Sequence, residues 1–427
     1  MAERNATFIR EWYNWYALYY INSSYTYNAM QYPSGLARWK ADLIHIEYGT
    51  VSRPDRQVGD SNIKNTSEQR TPFGFTRSGN TEKTCRLYVG ISKIEALAPV
   101  TSNLSDWSYN TRRHCPVLNI DSGKKSTGQK FVINCEADVA YAYLNSTKSP
   151  RNIQQFSPDD KCLRKYVDKC CSDSLPVPNV VHYVWYNERK LSFFHFVSFI
   201  SVLRFVRPCV ILIHGNIIPS GNYWKFILDL YPNIVHVFRE ITSTLFGKKV
   251  KFLEHFSDIW RLKALVRFGG IYLDTDTVLV KPIDTLRRFP CTMSRQTKNK
   301  TIGSAFIMAE RNATFIREWF DWYKMNYVNS SYTYNAMKRT SIIAFRRRDL
   351  IHIEYGTVSR PDRQVGDIIF YTNTNWANIY GIHLYVRSFW KLSKYIDENT
   401  VMDFNTTVGA LCRHILYGNK ELCIAMP

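Results

Sequence analysis

The stretch that decides the fold is His255-Phe-Ser-Asp-Ile-Trp-Arg-Leu-Lys-Ala-Leu-Val-Arg-Phe-Gly-Gly-Ile-Tyr-Leu-Asp-Thr-Asp276. Residues 271–273 are apolar and predict a short buried strand, and the Gly-Gly pair before them ends the preceding helix. Asp274 and Asp276 follow at the exit of this strand. Because ligands of open α/β sheets bind in the crevice outside the carboxyl ends of the strands, both carboxylates are expected in such a crevice.

The Asp-x-Asp pair offers hard carboxylate oxygens, which suit Mg²⁺ or Mn²⁺. Such ions usually keep coordination positions open for the phosphates of a substrate. A divalent ion on a diphosphate stabilises the negative charge that develops when the diphosphate leaves. The local pattern therefore predicts a metal–diphosphate site.

The composition is basic, with 56 Lys and Arg against 36 Asp and Glu in 427 residues and a net charge of +20. A basic surface favours anionic partners such as nucleotide-sugars, nucleic acids, anionic glycans or lipid headgroups. The charge is spread along the chain, and no RNA- or DNA-reading motif accompanies it. We therefore expect a solvated basic surface and no nucleic acid partner.

Ten cysteines are present, without a Cys-x-x-Cys pair or a His cluster that would suggest zinc. Five of the six that precede residue 176 lie in polar, loop-like sequence, as disulfide-bonded cysteines do. Nine Asn-x-Ser/Thr sequons begin at Asn5, Asn22, Asn65, Asn103, Asn145, Asn299, Asn312, Asn329 and Asn405. Together they favour the Golgi lumen or another part of the secretory pathway. An intracellular protein with reduced thiols and unused sequons remains the alternative.

Membrane association is expected only through an N-terminal anchor that this chain does not include. No signal peptide follows Met1. The most apolar window, residues 191–213, is interrupted by charged residues and a proline, so it predicts an amphipathic helix and then a strand. If the protein is lumenal, its targeting segment is missing from this chain.

Residues 1–60 repeat residues 308–367, with 45 of 60 positions identical at an offset of 307. The repeat occurs once, so a solenoid is excluded. An additional copy of an internal segment explains this better than a second working domain, because two near-identical segments cannot fill one place in a core. We expect the second copy to be integrated into the fold and the first to pack peripherally or poorly.

The rest of the chain divides into a polar lead-in and an α/β domain. Residues 61–175 are polar and predict a stem held by disulfides, whereas residues 176–427 are the predicted α/β domain, in which strands and helices alternate from residue 179 to 280. This alternation predicts a mostly parallel central sheet flanked by helices on both faces. Predicted strands cover residues 179–186, 209–214, 234–238, 271–273, 305–308, 350–353 and 379–385, and predicted helices cover 191–206, 223–230, 256–268, 314–327 and 405–416.

The motifs Ser257-Asp-x-x-Arg261, Gly269-Gly-Ile-Tyr-Leu-Asp-x-Asp276 and Leu279-Val-Lys-Pro282 resemble the core of glycosyltransferase family 32. This family includes α-1,4-galactosyl- and α-1,4-N-acetylglucosaminyltransferases. The resemblance covers residues 178–420, including the two strands upstream of these motifs. It implies a GT-A (nucleotide-diphospho-sugar transferase) fold and retention of anomeric configuration.

The resemblance also implies roles for the residues around the Asp-x-Asp pair. Asp274 would lie near the ribose and the metal, and Asp276 would coordinate Mn²⁺ directly. Asp258 and Arg261, three positions apart, share one helix face, and in the family pattern they contact the hydroxyls and phosphate of the donor. A purely structural ion pair is the alternative. Tyr272 would border the ribose, unless it is simply an aromatic residue of the strand.

Three further residues are candidates by resemblance or position. Trp185 ends the first predicted strand and would stack on uracil, with burial in the core as the alternative. Asn335 occupies the place of an acceptor-side segment, although the Gly-Pro usual there is absent, and the matching Asn28 in the first copy should be inert. His383 resembles a late histidine of related transferases and would be a third metal ligand or a structural histidine.

The expected function is transfer of a hexose or N-acetylhexosamine from a UDP-sugar to a glycan, glycolipid or glycoprotein acceptor, with Mn²⁺ or Mg²⁺ as cofactor. A haloacid-dehalogenase-type phosphatase is the rival enzyme class, since it also carries Asp-x-Asp at a strand end. Its later acidic motif would have to come from Asp362 or Asp367, whose surroundings are polar. An inactive, transferase-derived binding protein is the non-enzymatic alternative.

Overall fold

The computed structural model describes residues 107–110, 115–118, 129–135, 140–145, 153–187, 190–296, 301–355, 368–371, 376, 378–389, 393–418 and 420–422. The chain divides into two units, Met1–Gly79 and Asn80–Pro427, and all described residues belong to the second. The predicted peripheral segment 1–60 and most of the predicted stem therefore lie outside the described residues.

The strands of the described part are numbered along the chain. They are β1 (Trp107–Asn110), β2 (Cys115–Leu118), β3 (Gln129–Asn134), β4 (Ala140–Asn145), β5 (Gln155–Phe156), β6 (Val180–Val184), β7 (Val210–Gly215), β8 (Ile234–Phe238), β9 (Thr244–Leu245), β10 (Lys248–Lys249), β11 (Gly270–Leu273), β12 (Thr277–Leu279), β13 (Cys291–Arg295), β14 (Ile302–Ala309), β15 (His352–Glu354) and β16 (Gly381–His383).

The helices are numbered in the same way. The α-helices are α1 (Lys161–Cys170), α2 (Phe193–Phe205), α3 (Asn222–Leu230), α4 (Glu254–Phe268), α5 (Thr314–Asn326), α6 (Arg339–Arg346), α7 (Ile368–Tyr371) and α8 (Thr407–Tyr417). Short 3₁₀ helices cover Leu286–Arg288, Arg348–Leu350, Val386–Phe389 and Thr400–Met402, and a π-helical turn covers Tyr334–Lys338.

The central sheet has 8 strands in the order β15-β13-β14-β11-β6-β7-β8-β5. Strand β14 pairs antiparallel with both of its neighbours, and every other pairing in this sheet is parallel. Parallel strands need crossover connections, and the helices that alternate with them supply these connections. The predicted α/β class with a mostly parallel sheet and flanking helices is confirmed.

Both faces of the sheet are covered, which explains the continuous apolar runs of its strands. In β7, Ile211 and Ile213 join the apolar cluster around α2, whereas Val210 and Leu212 join the cluster under α1. Successive side chains of a strand point to opposite faces, so a strand buried on both faces is apolar except where a polar side chain such as His214 finds a hydrogen-bond partner. The run Val210–Gly215 is buried throughout for this reason.

A turn with two consecutive glycines, Gly269 and Gly270, connects α4 to β11. Gly269 has φ +66° and Gly270 has φ +102°, a region that only glycine adopts easily. A Cβ on Gly270 would lie 2.5 Å from both Cγ1 and the carbonyl oxygen of Val180 on the neighbouring strand β6. The turn therefore needs glycine for its backbone angles and for close packing, and it aims β11 so that Asp274 emerges at its carboxyl end.

The α/β domain begins before the predicted boundary at residue 176. Strand β5 extends the central sheet by pairing with β8, and α1 buries Leu163, Tyr166 and Val167 against its face. Neither element was predicted from the sequence of this polar region, because β5 is two residues long and only one side of α1 is apolar. Strands β12 and β13 were not predicted either.

The described part of the second copy, residues 308–355, is integrated into the fold as predicted. Met308 lies in β14, and Phe315, Trp319 and Tyr323 of α5 are fully buried. The first copy, residues 1–60, lies outside the described residues, so its peripheral packing stays a prediction.

Disulfides join Cys135 to Cys162 and Cys171 to Cys209. The second of these bonds ties the segment after α1 to the start of β7. Cys291 and Cys412 are buried free thiols. The described helices include none that is long and apolar enough to cross a membrane.

Candidate metal centre and donor site

Three of the predicted site residues converge at the carboxyl end of β11. A carboxylate oxygen of Asp274, a carboxylate oxygen of Asp276 and a ring nitrogen of His383 all lie within 4.8 Å of one another. Nε2 of His383 is 3.0 Å from Oδ1 of Asp276 and 3.7 Å from Oδ2 of Asp274. The structure therefore assembles the three predicted metal ligands in one place.

A small two-stranded sheet brings His383 to the aspartates across more than a hundred residues of sequence. Strands β12 and β16 pair antiparallel, with Thr277 opposite His383. The backbone N–H of Leu384 also donates to the carbonyl oxygen of Asp276 over 3.0 Å. This local pairing holds the histidine beside the Asp-x-Asp turn and was not predicted from the sequence.

Asp276 is held in its ionised form. Its Oδ2 accepts a 2.9 Å hydrogen bond from the backbone N–H of Val386, and its Oδ1 faces Nε2 of His383. Burial alone would raise the pKa of this carboxyl, but His383 and the Val386 N–H outweigh burial and lower the pKa to about 2. Asp276 is therefore a carboxylate at any ordinary pH and is ready to bind a cation.

Asp274 is oriented by two neighbours that belong to the predicted motif. The hydroxyl of Tyr272 donates to its Oδ1 over 2.6 Å, and Nη1 of Arg261 lies 3.4 Å from the same oxygen. Oδ2 remains directed to the side of His383. Tyr272 itself is 1% exposed, so in this structure it acts on Asp274 and does not border an open space. Its predicted contact with a ribose stays a prediction.

Arg261 is a buried side chain that contacts Asp274 and Asp258. Its Nε donates to the carbonyl oxygen of Ser257 over 3.1 Å, its Nη2 to Oγ of Ser257 over 2.9 Å, and its Nη1 to the carbonyl oxygen of Ser304 over 2.6 Å. Its guanidinium also stacks 4.4 Å above the ring of Tyr272. Burial lowers the pKa of Arg261, but Tyr272, Asp274 and Asp258 outweigh burial and hold the pKa above its usual value. The guanidinium is therefore permanently charged, and each of its three nitrogens already donates a hydrogen bond within the protein.

Asp258 completes this arrangement from the same helix. Its Oδ1 lies 3.4 Å from Nη2 of Arg261, and its Oδ2 accepts a 3.3 Å hydrogen bond from the hydroxyl of Tyr323. Burial raises the pKa of Asp258 to about 6, although Arg261 opposes the shift. The structure thus shows the ion pair that was the alternative interpretation of these two residues, and their direct contact with a donor stays a prediction.

Two other predicted residues lie in buried positions. Trp185 is 4% exposed and meets the ring of His195 edge to face at 5.1 Å within the core. Asn335 is fully buried and its amide bonds both the N–H and the carbonyl oxygen of Val328, at 3.0 and 2.8 Å. The structure gives both side chains packing roles. Stacking on uracil and contact with an acceptor stay predictions, and either would require these side chains to move.

Sequence reasoning missed three contributors to the site. The Val386 N–H and the Tyr323 hydroxyl each bond one of the aspartates, and the Ser304 carbonyl accepts from Arg261. A backbone donor or acceptor carries no signal in the identity of its residue. Tyr323 belongs to the apolar face of α5, where an aromatic residue is first interpreted as core.

The comparisons with known proteins agree with this geometry. Residues 129–292, which include Asp258, Arg261, Asp274 and Asp276, match the family model described as glycosyltransferase sugar-binding region containing DXD motif. Over these residues the chain is similar to DXD-containing glycosyltransferases, which agrees with the resemblance to family 32 and supports a glycosyltransferase.

Curated and solved proteins are similar to parts of this chain. Glucan organizing enzyme 1 of Cryptococcus neoformans is 27% identical over 165 residues, which are 35% of this chain and 44% of that protein. The chain thus spans less than half the length of this relative. The PaToxG glycosyltransferase covers 57% of this chain and 86% of its own at 14% identity, with a TM-score of 0.29. The galactosyltransferase LgtC, solved with donor and acceptor sugar analogs, covers 51% and 96% at 10% identity, with a TM-score of 0.32. The fold assignment therefore rests on the sheet topology described above.

Proposed function

We propose that this chain transfers a hexose or an N-acetylhexosamine from a UDP-sugar to a glycan, glycolipid or glycoprotein acceptor, with retention of anomeric configuration. A divalent cation, Mn²⁺ or Mg²⁺, would be held by Asp274, Asp276 and His383. The observation that carries the proposal is the convergence of these three ligand atoms within 4.8 Å at the carboxyl end of the central strand β11.

The donor set suits such an ion. Two carboxylates and an imidazole are ligands that Mn²⁺ accepts, and two of the three groups are oxygen ligands that Mg²⁺ prefers. Adjacent ligands of an octahedral ion, each about 2.1 Å from it, lie about 3 Å apart, and Nε2 of His383 is 3.0 Å from Oδ1 of Asp276. When bound, the ion would neutralise the charge that develops on the departing diphosphate.

The protein's own groups act by positioning. Tyr272 and Arg261 fix one oxygen of Asp274, and the Val386 N–H fixes one oxygen of Asp276. Ligand side chains held in place by such partners do not have to be ordered when the ion and the diphosphate arrive. Arg261 is therefore proposed as a positioning residue. Each of its three nitrogens already donates a hydrogen bond, and its ion pair with Asp274 holds that carboxylate in place.

The acceptor and the compartment also belong to the proposal. One relative is named for the organisation of glucan, which favours a carbohydrate acceptor. The disulfides Cys135–Cys162 and Cys171–Cys209 favour an oxidising compartment such as the Golgi lumen.

The rival phosphatase has less support than the transferase. Its later acidic motif would have to come from Asp362 or Asp367, which lie outside the described residues. The matched family region favours sugar transfer.

The test is hydrolysis of a panel of UDP-sugars in the presence of Mn²⁺, with Asp276→Asn and the exposed control Asp229→Asn on α3 as variants. Loss of a metal carboxylate is expected to lower turnover on the best donor by about 10²-fold or more, because several kcal/mol of transition-state stabilisation are lost. Asp229→Asn should match the wild type. Equal hydrolysis by all three proteins would refute the metal assignment. UDP binding without any turnover would refute the transferase activity and support the inactive, transferase-derived binding protein.

A further inference from the structure

A second, basic cleft lies beside the carboxyl-terminal half of α4. Its volume is about 770 Å³. Its walls come from the segment after β5, from α1, from the end of β8, from α4 and α5, and from the turn after β14. The residues that line it are Pro158, Asp159, Arg164, Arg239, Lys263, Val266, Arg267, Arg311, Asn312 and Phe320.

This basic cleft is distinct from the donor site. On α4, Lys263 lies two positions after Arg261, which at 3.6 residues per turn rotates it by about 200° around the helix axis. Arg261 faces Asp274 of the donor site, and Lys263 faces the cleft. The two sites therefore lie on different sides of one helix.

Positive charge dominates the lining of the cleft. Five cationic side chains line it against one carboxylate, that of Asp159. Two of the five, Arg164 and Arg311, share Asp168 as an ion-pair partner. Among the described residues, Lys263 makes no hydrogen bond or ion pair, and burial together with Arg239 lowers its pKa. Among the described residues, Asp159 and Asp168 offset only part of this positive charge.

Arg239 is the deepest of these cations. It is 5% exposed, and its buried Nε finds no hydrogen-bond partner among the described residues. Burial lowers its pKa to about 10, although Asp159 opposes the shift. A buried guanidinium with an unused donor is costly unless an anion completes it. The cleft into which it is directed is the place where such an anion can bind.

A chain of buried histidines fixes the orientation of Arg239. The carbonyl oxygen of Gly269 can only accept, so Nε2 of His182 donates to it over 2.7 Å and Nδ1 of His182 must accept. Nε2 of His214 therefore donates to that Nδ1 over 3.0 Å, and Nδ1 of His214 accepts from Nη2 of Arg239 over 3.5 Å. Burial lowers the pKa of both histidines, so both are neutral and the chain runs in one direction. Arg239 is preorganised for a ligand.

We propose that this basic cleft binds a phosphate or sulfate group, with Arg239 at its base and Lys263 and Arg164 at its mouth. Tetrahedral oxyanions suit the site because guanidinium groups donate paired hydrogen bonds to them and an ammonium adds a point charge. The group is either a free anion or part of an anionic saccharide, and the chemistry that recognises it is the same in both cases.

The first experiment is calorimetric titration of inorganic phosphate into the whole chain, produced without N-glycans because the sequon residue Asn312 stands at the rim of the cleft. The titration is run without divalent ions and repeated with Mn²⁺ and UDP. Wild-type protein should bind one phosphate per chain under both conditions. Competition by UDP would overturn the proposal, because it would place the anion in the donor site.

Variants then locate the bound anion. Lys263→Gln should weaken phosphate binding about tenfold, since one charge-assisted hydrogen bond contributes about 1.5 kcal/mol and 1.4 kcal/mol is a factor of ten. Arg239→Gln should weaken it further, and thermal unfolding checks that this variant folds. Lys225→Gln, the same change at an exposed position on α3, should bind as the wild type does. Equal affinity of Lys263→Gln and Lys225→Gln would contradict the proposal.

A second arm identifies the source of the anion. A sulfated disaccharide that binds at least tenfold more tightly than inorganic sulfate, with the same loss in Lys263→Gln, assigns the cleft to an anionic glycan. Equal affinities assign it to the free anion. Binding only to vesicles that contain a phosphatidylinositol phosphate, with neither small anion bound, would replace the proposal by a membrane contact.

Discussion

Burial and local charge set the protonation of two site carboxyls in opposite directions. The pKa of Asp276 is lowered to about 2 because His383 and a backbone N–H outweigh its burial. The pKa of Asp258 is raised to about 6 because burial outweighs Arg261. Asp276 therefore has the charge a metal ligand needs, whereas Asp258 carries its charge at neutral pH at a cost to the stability of the fold.

This cost gives a prediction for Asp258→Asn. The folded state binds the proton of Asp258 more tightly than the unfolded chain, whose carboxyl has a pKa of 3.8. The contribution of this group to stability is thus complete below pH 3.8 and is lost as the pH rises through about 6. The free energy of unfolding of the variant minus that of the wild type should rise by up to about 3 kcal/mol between pH 4 and pH 7.

Urea unfolding at several pH values in the absence of metal measures this difference. Asp229→Asn, the same change at an exposed position, controls for the removal of one carboxylate from the protein. A flat or falling difference for Asp258→Asn would contradict the raised pKa.

At the residue scale, the sequence predicted which side chains converge at the candidate metal centre better than it predicted the surroundings of the other side chains. Asp274 and Asp276 lie two positions apart at a strand end, so their convergence is local. His383 was placed by resemblance, and only the β12–β16 pairing shows why it is near. Trp185 and Asn335 are types that either bind ligands or fill cores, and their burial depends on contacts distant in sequence.

The elements that carry the site are fixed by two backbone features, the double-glycine turn before β11 and the pairing of β12 with β16. In the turn, Gly270 lies so close to Val180 of β6 that an added Cβ would be 2.5 Å from two of its atoms. The pairing holds the His383 strand beside the turn that bears the aspartates. Together they make the spacing of the ligand atoms a property of the scaffold.

The turn gives a prediction for Gly270→Ala. The methyl group of the new alanine would lie 2.5 Å from two atoms of Val180, and the alanine backbone would have to adopt φ +102°. We therefore expect a loss of about 3 kcal/mol or more in the free energy of unfolding. Gly247→Ala is the matched control, since Gly247 has φ +77° and no atom within 4 Å of the added methyl. Its expected loss is about 1–2 kcal/mol, from the backbone alone. Equal losses in denaturant unfolding would show that the close packing on Val180 is not limiting.

The two hydrogen bonds between the Asn335 amide and the backbone of Val328 give a second prediction at this scale. Asn335→Ala removes two buried hydrogen bonds and leaves the N–H and carbonyl of Val328 unpaired, so the free energy of unfolding should fall by about 2–4 kcal/mol. Asn326→Ala, at an exposed position on α5, should cost less than about 0.5 kcal/mol. If Asn335→Ala left the stability unchanged and raised the KM for the acceptor, the structural role would be contradicted and the predicted acceptor-side role of Asn335 would be supported.

The helices and strands of the α/β region were largely predictable because period-2 and period-3.6 apolar patterns are strong there. The predicted strand 234–238 has the same bounds as β8, and the predicted helix 314–327 ends one residue beyond α5. Strand β12 was missed because its 3 residues follow the Asp-x-Asp turn without a pattern of their own. Strand β13, Cys-Thr-Met-Ser-Arg, mixes polar and apolar residues that tertiary contacts bury together.

The duplication belongs to the scale of the whole molecule. Met308, Phe315 and Trp319 of the second copy occupy core positions, and near-identical residues of the first copy cannot occupy the same positions. Deletion of residues 1–60 should therefore leave the thermal unfolding midpoint and UDP-sugar hydrolysis unchanged, whereas deletion of residues 308–367 should abolish folding. A shortened chain that loses its activity would show that the first copy takes part in the domain.

The central claim is that the two aspartates bind UDP through a divalent cation, and titration of UDP with and without Mn²⁺ tests it most directly. Wild-type protein and Asp229→Asn should bind UDP at least tenfold more tightly with Mn²⁺ than without it, since a bound ion contributes more than 1.4 kcal/mol to the diphosphate contact. Asp276→Asn should lose most of this difference. UDP affinity that is independent of Mn²⁺ in the wild type, or equally dependent on it in Asp276→Asn, would contradict the account.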